Sequence, residues 1–328
     1  MAINTWDGAV NTDWSNAGNW DTTDDTDRIP ADDDDVVIPD TSAIPNCILT
    51  TDVSCGSLTI SNSATFSMAG NDLTLKGKTG AHRIIDLGSS FTATWDGTVH
   101  FIPTASSGTF RVNTGTNTEQ TLGAVVINKA GTTMELRTAF ACSSLTITAG
   151  TFDTRSADNN ALTVSGQLTC AGTFTGNASL VTVNSVLLTA GTFTAPSDSG
   201  SGDLVIQGED AYYAFRKTGG TFTHNSGTVT FNTNSSTTIN NSHTWNNVIH
   251  NVPANSAHYH LYAADTVIAG DLTVQDATSR GTGYVMIADG KTIDVAGDVT
   301  LSEKFEGNQN GSRDDDTEFG SLTIASGG

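Results

Sequence analysis

Along most of this chain, apolar and polar positions alternate in short bursts with a period of two, each burst opening on a small residue. Cys55-Gly56-Ser57-Leu58-Thr59-Ile60 is the first clear example, and Cys142-Ser143-Ser144-Leu145-Thr146-Ile147 repeats it. The phrase returns at Gly270-Asp271-Leu272-Thr273-Val274, at Gly297-Asp298-Val299-Thr300-Leu301 and at Gly320-Ser321-Leu322-Thr323-Ile324, with looser copies opening on Gly166 and Gly202. Alternation that follows a turn residue predicts a half-buried strand. Gly270, Gly297 and Gly320 lie 27 and 23 residues apart, a period that predicts a solenoid whose coils stack strand on strand.

A second series runs beside the first. Phe66, Phe152, Phe174, Phe193 and Phe222 each close an Ala-Thr-Phe or Gly-Thr-Phe phrase, and Phe110 closes a looser one. Equivalent positions of neighbouring coils stand about 4.8 Å apart, so these rings form a candidate core stack, each contact adding about 0.5–1.5 kcal/mol beyond burial. A longer duplication lies over both series. The run from Phe91 to Phe101 resembles that from Phe222 to Phe231, and Leu122-Gly123-Ala124-Val125 matches Trp245-Asn246-Asn247-Val248. No window carries apolar residues at i, i+3, i+4 and i+7, so almost no helix is expected. The pattern as a whole predicts an all-β chain: a parallel β-helix, or β-solenoid, with irregular rungs. Residues 1–40 stand apart as an acidic, Trp-rich cap or docking segment. Residues 41–328 read as one continuous solenoid without a linker, duplicated at about 88–150 and 219–275.

Charge and composition act mainly by exclusion. The formal net charge is −21, with 14 Lys and Arg against 35 Asp and Glu. Such a surface repels phosphate backbones, which excludes nucleic acid as a partner. Nothing approaches the ~18 apolar residues of a membrane span. The opening Met1-Ala2-Ile3-Asn4-Thr5-Trp6 lacks a basic and an apolar region, so no secretory leader is expected if Met1 is the start. The four cysteines, Cys47, Cys55, Cys142 and Cys170, are scattered. They read as small apolar interior residues rather than a disulfide framework.

Residues 1–40 hold Trp6, Trp14 and Trp20, eleven aspartates and one basic residue, Arg28. The stretch Asp13-Trp14-Ser15-Asn16-Ala17-Gly18-Asn19-Trp20, followed by Pro30 and Asp34-Asp35-Val36-Val37-Ile38, resembles the opening of bacterial and phage β-helical surface proteins. Ser15-Asn16 departs mildly from the Asn that usually follows the first Trp there. The resemblance implies a virion structural protein of a tailed bacteriophage, a capsid decoration or fibre component assembled in the host cytoplasm. Its implied partners are a major capsid protein or tail components and further copies of itself, a trimer for instance, with a host-surface glycan as an additional ligand. A bacterial cell-surface adhesin fragment and a tailspike-like polysaccharide depolymerase are the alternatives. For the three tryptophans, a lid over the first coil and a docking surface both remain open.

Candidate chemistry is thin. The aspartate runs at 32–35 and 314–316 lack calcium-loop spacing and read as solvated loops. The segment 208–217, with Glu209, Asp210, Tyr212, Tyr213, Arg216 and Lys217, reads as a surface loop. His258 and His260 fall on one face of a strand, as zinc ligands can, but no further ligand joins them; an exposed pair is expected. No catalytic, cofactor-binding or metal-binding residues are assigned, and the chain is expected not to be an enzyme. The last phrase, ending at Ile324, shows no visible cap.

Overall fold

The computed structural model describes residues 2–23, 28–40, 44–77, 82–105, 108–113, 121–198, 202–208, 212–233, 235–240, 242–252, 258–276, 284–302, 304–307 and 322–324. Their contacts divide the chain into two units, Met1–Thr163 and Val164–Gly328. Each is a parallel β-solenoid. Helix is confined, among the described residues, to one 3-10 turn, Ala17–Asn19.

In the first unit, the strands fall into three columns. One column runs through Ile3–Trp6, Asp35–Ile38, Ser57–Ile60, His82–Leu87, Gly108–Asn113 and the later half of Thr121–Leu136. Its inward register is Asn4, Val36, Leu58, Ile85, Val112 and Leu136. A second column stacks Val53, Leu73, Val99, Val125 and Leu145. The third is short, with Cys47 on Phe66 and Phe66 on Ala93. Period-two alternation drives every second side chain inward, and these inward residues are buried, apart from half-buried Val53 and Ala93.

The second unit repeats the plan. Val181, Leu204, Val229, Val248, Leu272 and Val299 form one register. Val186, Phe215, Ile239, Tyr262 and Ile287 form another. The third face carries Phe174, Phe193 and Phe222 in register. On the coils that follow, Trp245, Ile268, Val295 and Ile324 form a further register. The duplication seen in the sequence is a three-rung block: Val99–Val125–Leu145 in one unit and Val229–Val248–Leu272 in the other.

Tight coil stacking explains particular glycines. Gly191 has φ +61°, and a Cβ there would stand 1.8 Å from the Gly172 carbonyl oxygen. Only glycine meets both demands.

Two expectations change on contact with the structure. Leu322 does not stack on Val299 as its phrase suggests; it pairs with Ile293, in a different column from Leu272 and Val299. Residues 1–40 are also more than an appendage, because Ile3–Trp6 and Asp35–Ile38 open the first column. The outer edge of Ile3–Trp6 is closed by Trp20–Thr22, the one antiparallel pairing among the described strands. An antiparallel strand ends a parallel column because it presents the wrong polarity for another coil.

Candidate functional site

The N-terminal tryptophans lie inside. Trp6, Trp14 and Trp20 are at most 1 % exposed. Trp20 takes both others edge-to-face, with centroids 5.1 Å from Trp6 and 4.6 Å from Trp14. Trp6 Nε1 donates to the Pro45 carbonyl at 2.8 Å and Trp20 Nε1 to the Trp14 carbonyl at 2.7 Å. Asn19, also buried, donates to the Asp13 carbonyl and accepts from the backbone N–H groups of Val10 and Asn11. The indoles therefore act as a lid, and their faces are closed to any docking partner.

The aspartate run beside them is not simply solvated, which corrects the sequence reading. Asp34 is 1 % exposed and accepts from the backbone N–H groups of Ala2 at 3.0 Å and Ala31 at 2.9 Å. Arg28, the one basic residue of the segment, pairs with the same oxygen as Ala31. Burial alone would raise this carboxyl; Arg28 and the two N–H donors outweigh it and hold the group well below the usual carboxylate range. Asp32 pairs with Lys76 and Ser54, and Asp35 accepts from Ser57 at 2.5 Å. These carboxylates fasten the first coil to its neighbours. The run at 314–316 and Glu209, Asp210 and Ala211 lie outside the described residues.

The phenylalanine series splits among columns. Phe174 and Phe193 stack at 4.6 Å and 23°, and Phe193 and Phe222 at 5.8 Å and 16°. Phe222 is only half-buried and lies under His243 at 4.2 Å. Phe66 belongs to the short third column of the first unit and touches Trp95 instead. Phe152 stands opposite Met134 and tilts against Phe140.

The histidines overturn a second expectation. His260 is fully buried, and with it His250, which spacing alone did not single out. His250 Nδ1 stands 2.9 Å from His260 Nδ1, and His250 Nε2 stands 2.7 Å from the Tyr262 hydroxyl. The Phe231 ring stacks on His250 at 5.0 Å and 10°. Fewest groups are orphaned if Tyr262 O–H donates to His250 Nε2 and His250 Nδ1–H donates to His260 Nδ1; His260 Nε2 then lacks a partner. Burial pushes the His260 imidazole down to about 3, and His243 likewise to about 3, with Lys217 adding to the latter. Burial and the neighbouring His260 also drive His250 far down. His250 and His260 are neutral interior groups, and His243 is a half-buried one. No third ligand gathers around any of them, and among the described residues no His, Cys, Asp and Glu cluster has metal-binding geometry. The signal was present in the sequence: His250 shares its parity with Val248 and Val252, and His260 with Tyr262.

All four cysteines are free and buried. Burial raises their thiols, Cys142 and Cys170 to about 12, so none offers a thiolate at neutral pH. A shallow depression of ≈ 500 Å³ in the first unit is lined by Trp95, Asp72 and Asp96 among others. The Thr98 N–H, aided by His100, holds the Asp72 carboxyl low despite partial burial, which suits an anchor and not a general acid. In the second unit, Asp203 is the described carboxyl that is pushed up, by burial and then by the neighbouring charge of Asp198. Tyr212 is 75 % exposed and Arg216 lies over the Tyr213 ring at 5.0 Å, but Tyr213–Lys217 is a strand with Ala214 and Phe215 fully buried, so the surface-loop expectation does not hold there.

A domain of unknown function, DUF8693, matches residues 5–89, about a quarter of the chain. That stretch holds the tryptophan lid and the opening coils of the first unit. No curated protein and no solved structure matches the chain.

Proposed function

We propose that this chain is a non-catalytic structural protein of a virus particle of the tailed-phage kind, held at its N-terminal end and displaying a β-solenoid. The observation that carries the reading is where the reactive side chains go. The His250 and His260 imidazoles, the indoles, the thiols and Asp34 are consumed by the interior, and the chain as a whole is strongly acidic. Columns of parallel strands unfold slowly, which suits a particle that must persist outside a cell. With the indoles turned inward, attachment would use the acidic outer surface of the first coils. The partners are then capsid or tail proteins and further copies of the chain.

The test is fractionation of a producing culture with an antibody to the chain. Sedimentation with particles, and labelling on shell or tail in electron micrographs, is the expected result. Recovery from cell envelopes instead would replace this reading with the adhesin. Asp203 beside Asp198 favours one further reading, a depolymerase, because a raised carboxyl with a second carboxyl nearby is the pattern of glycan-cleaving acids. Turnover of a bacterial polysaccharide that is abolished by Asp203→Asn would establish it.

A further inference from the structure

Basic residues are scarce in this chain, yet four of its eight arginines stand together on the outer face of the first unit. Arg83 and Arg111 are register partners on adjacent coils, and Arg111 is the partner of Glu135 on the next. Arg137 stands two residues along from Glu135, just past the end of that strand at Leu136. Its Nη2 lies 2.8 Å from Glu135 Oε1, and Arg155 Nε approaches the same oxygen at 3.4 Å. Stacking like charges on adjacent coils is unfavourable unless something neutralises them.

The carboxylates present do so only in part. Arg83 has Asp86, at 2.5 Å, and Arg155 has Asp158. Asp153, next in the ladder, turns one oxygen to the backbone N–H of Arg155. Arg137 and Arg155 are left to share the single charge of Glu135. Arg111 makes no ion pair among the described residues. The Nε–H groups of Arg111 and Arg137 are shut off from solvent and donate to no acceptor. Buried guanidinium donors without an acceptor are costly. Burial lowers the Arg137 guanidinium; Glu135 pulls the other way, and Arg111, Arg155 and Arg83 add to the lowering.

We infer that the Arg83–Arg111–Arg137–Arg155 face binds an oxyanion, a phosphate, sulfate or carboxylate group, with Arg111 and Arg137 as its principal donors. A guanidinium fork matches two oxygens of such a group, whereas a lysine would offer only a point charge. The acidic remainder of the molecule repels an extended polyanion, so the ligand is a small anion or one charged group on a largely neutral molecule.

The test is calorimetric titration of the full chain at low ionic strength with inorganic phosphate, sulfate and acetate in separate arms. Saturable binding of at least one is expected, with the arms reporting which oxyanion is preferred. Arg111→Gln should weaken it about tenfold or more, and Arg111→Lys, which keeps the charge and loses the fork, by a smaller factor. Circular dichroism of both variants checks that they fold; should Arg111→Gln fail, Arg111→Lys and Arg137→Lys carry the comparison. No saturable binding of any of the three anions up to about 50 mM, or equal affinity in the folded variants, overturns the inference and leaves the cluster as an internal ion network.

Discussion

Acid should unfold the second unit through its interior histidines. In the unfolded chain an imidazole protonates near pH 6.5, whereas half-buried His243 and fully buried His260 hold out to about 3. Below pH 6.5 the unfolded state therefore binds more protons, and stability falls as pH falls until the interior groups themselves titrate. Between pH 8 and pH 5 each such histidine removes about 2 kcal/mol, so these two remove about 4 kcal/mol. His250 acts in the same direction, although a charge on either member of the pair opposes a charge on the other. That loss is large against a total of about 5–15 kcal/mol. Urea midpoints at pH 8, 6.5 and 5 measure it, and hydrogen exchange in Asn247–Val252 and Tyr259–Tyr262 locates it. The control is a paired replacement, His250→Phe with His260→Val, echoing the register neighbours Phe231 and Val285. It should cost stability at every pH by orphaning the Tyr262 hydroxyl, yet at least halve the loss between pH 8 and 5. If the double variant loses as much as the parent over that interval, the buried imidazoles are not the cause and the reasoning fails.

Other outcomes follow from the same geometry. Phe193→Ala, which empties the centre of a three-ring stack, should cost about 3–5 kcal/mol in chemical denaturation, and Phe222→Ala distinctly less because that ring is half-buried. Asp34→Ala removes the acceptor of two N–H groups and Arg28, and should cost about 3 kcal/mol or more, read as exposure of Trp fluorescence at lower urea. Because the Asp34 carboxyl is held low, its contribution is intact above the ordinary aspartate range and disappears as pH falls below it, a window well separated from that of the histidines. Gly191→Ala should destabilise by several kcal/mol, since positive φ and a coil-to-coil clash act together; a near-neutral midpoint would mean the coils can part there.

Strands were the most legible level of this chain. Leu58, Leu145 and Leu272 are inward and buried because alternation with Thr leaves them only one face to take. The column each strand joins was not legible, because that depends on how many residues the intervening turns consume. Leu322 repeats the phrase of Leu272 yet stands on Ile293. Phe174, Phe193 and Phe222 align in spite of spacings of 19 and 29 residues, whereas Phe66 sits in another column. Residue type misled where polarity was taken as exposure: Asp34 and His260 are both interior, one held by Arg28 and two N–H donors and the other by a hydrogen-bonded neighbour. The arginine cluster was invisible for the same topological reason. Arg83, Arg111, Arg137 and Arg155 are separated by whole coils in sequence and become neighbours only through register.

The phenylalanine register has an evolutionary corollary. Rings on successive coils align whether 19 or 29 residues intervene, so a turn can gain or lose ten residues without moving a single core contact. Insertions are thus cheap at every corner of the coil and ruinous within a strand. A lineage carrying this fold can trade recognition loops freely while its spine stays unchanged.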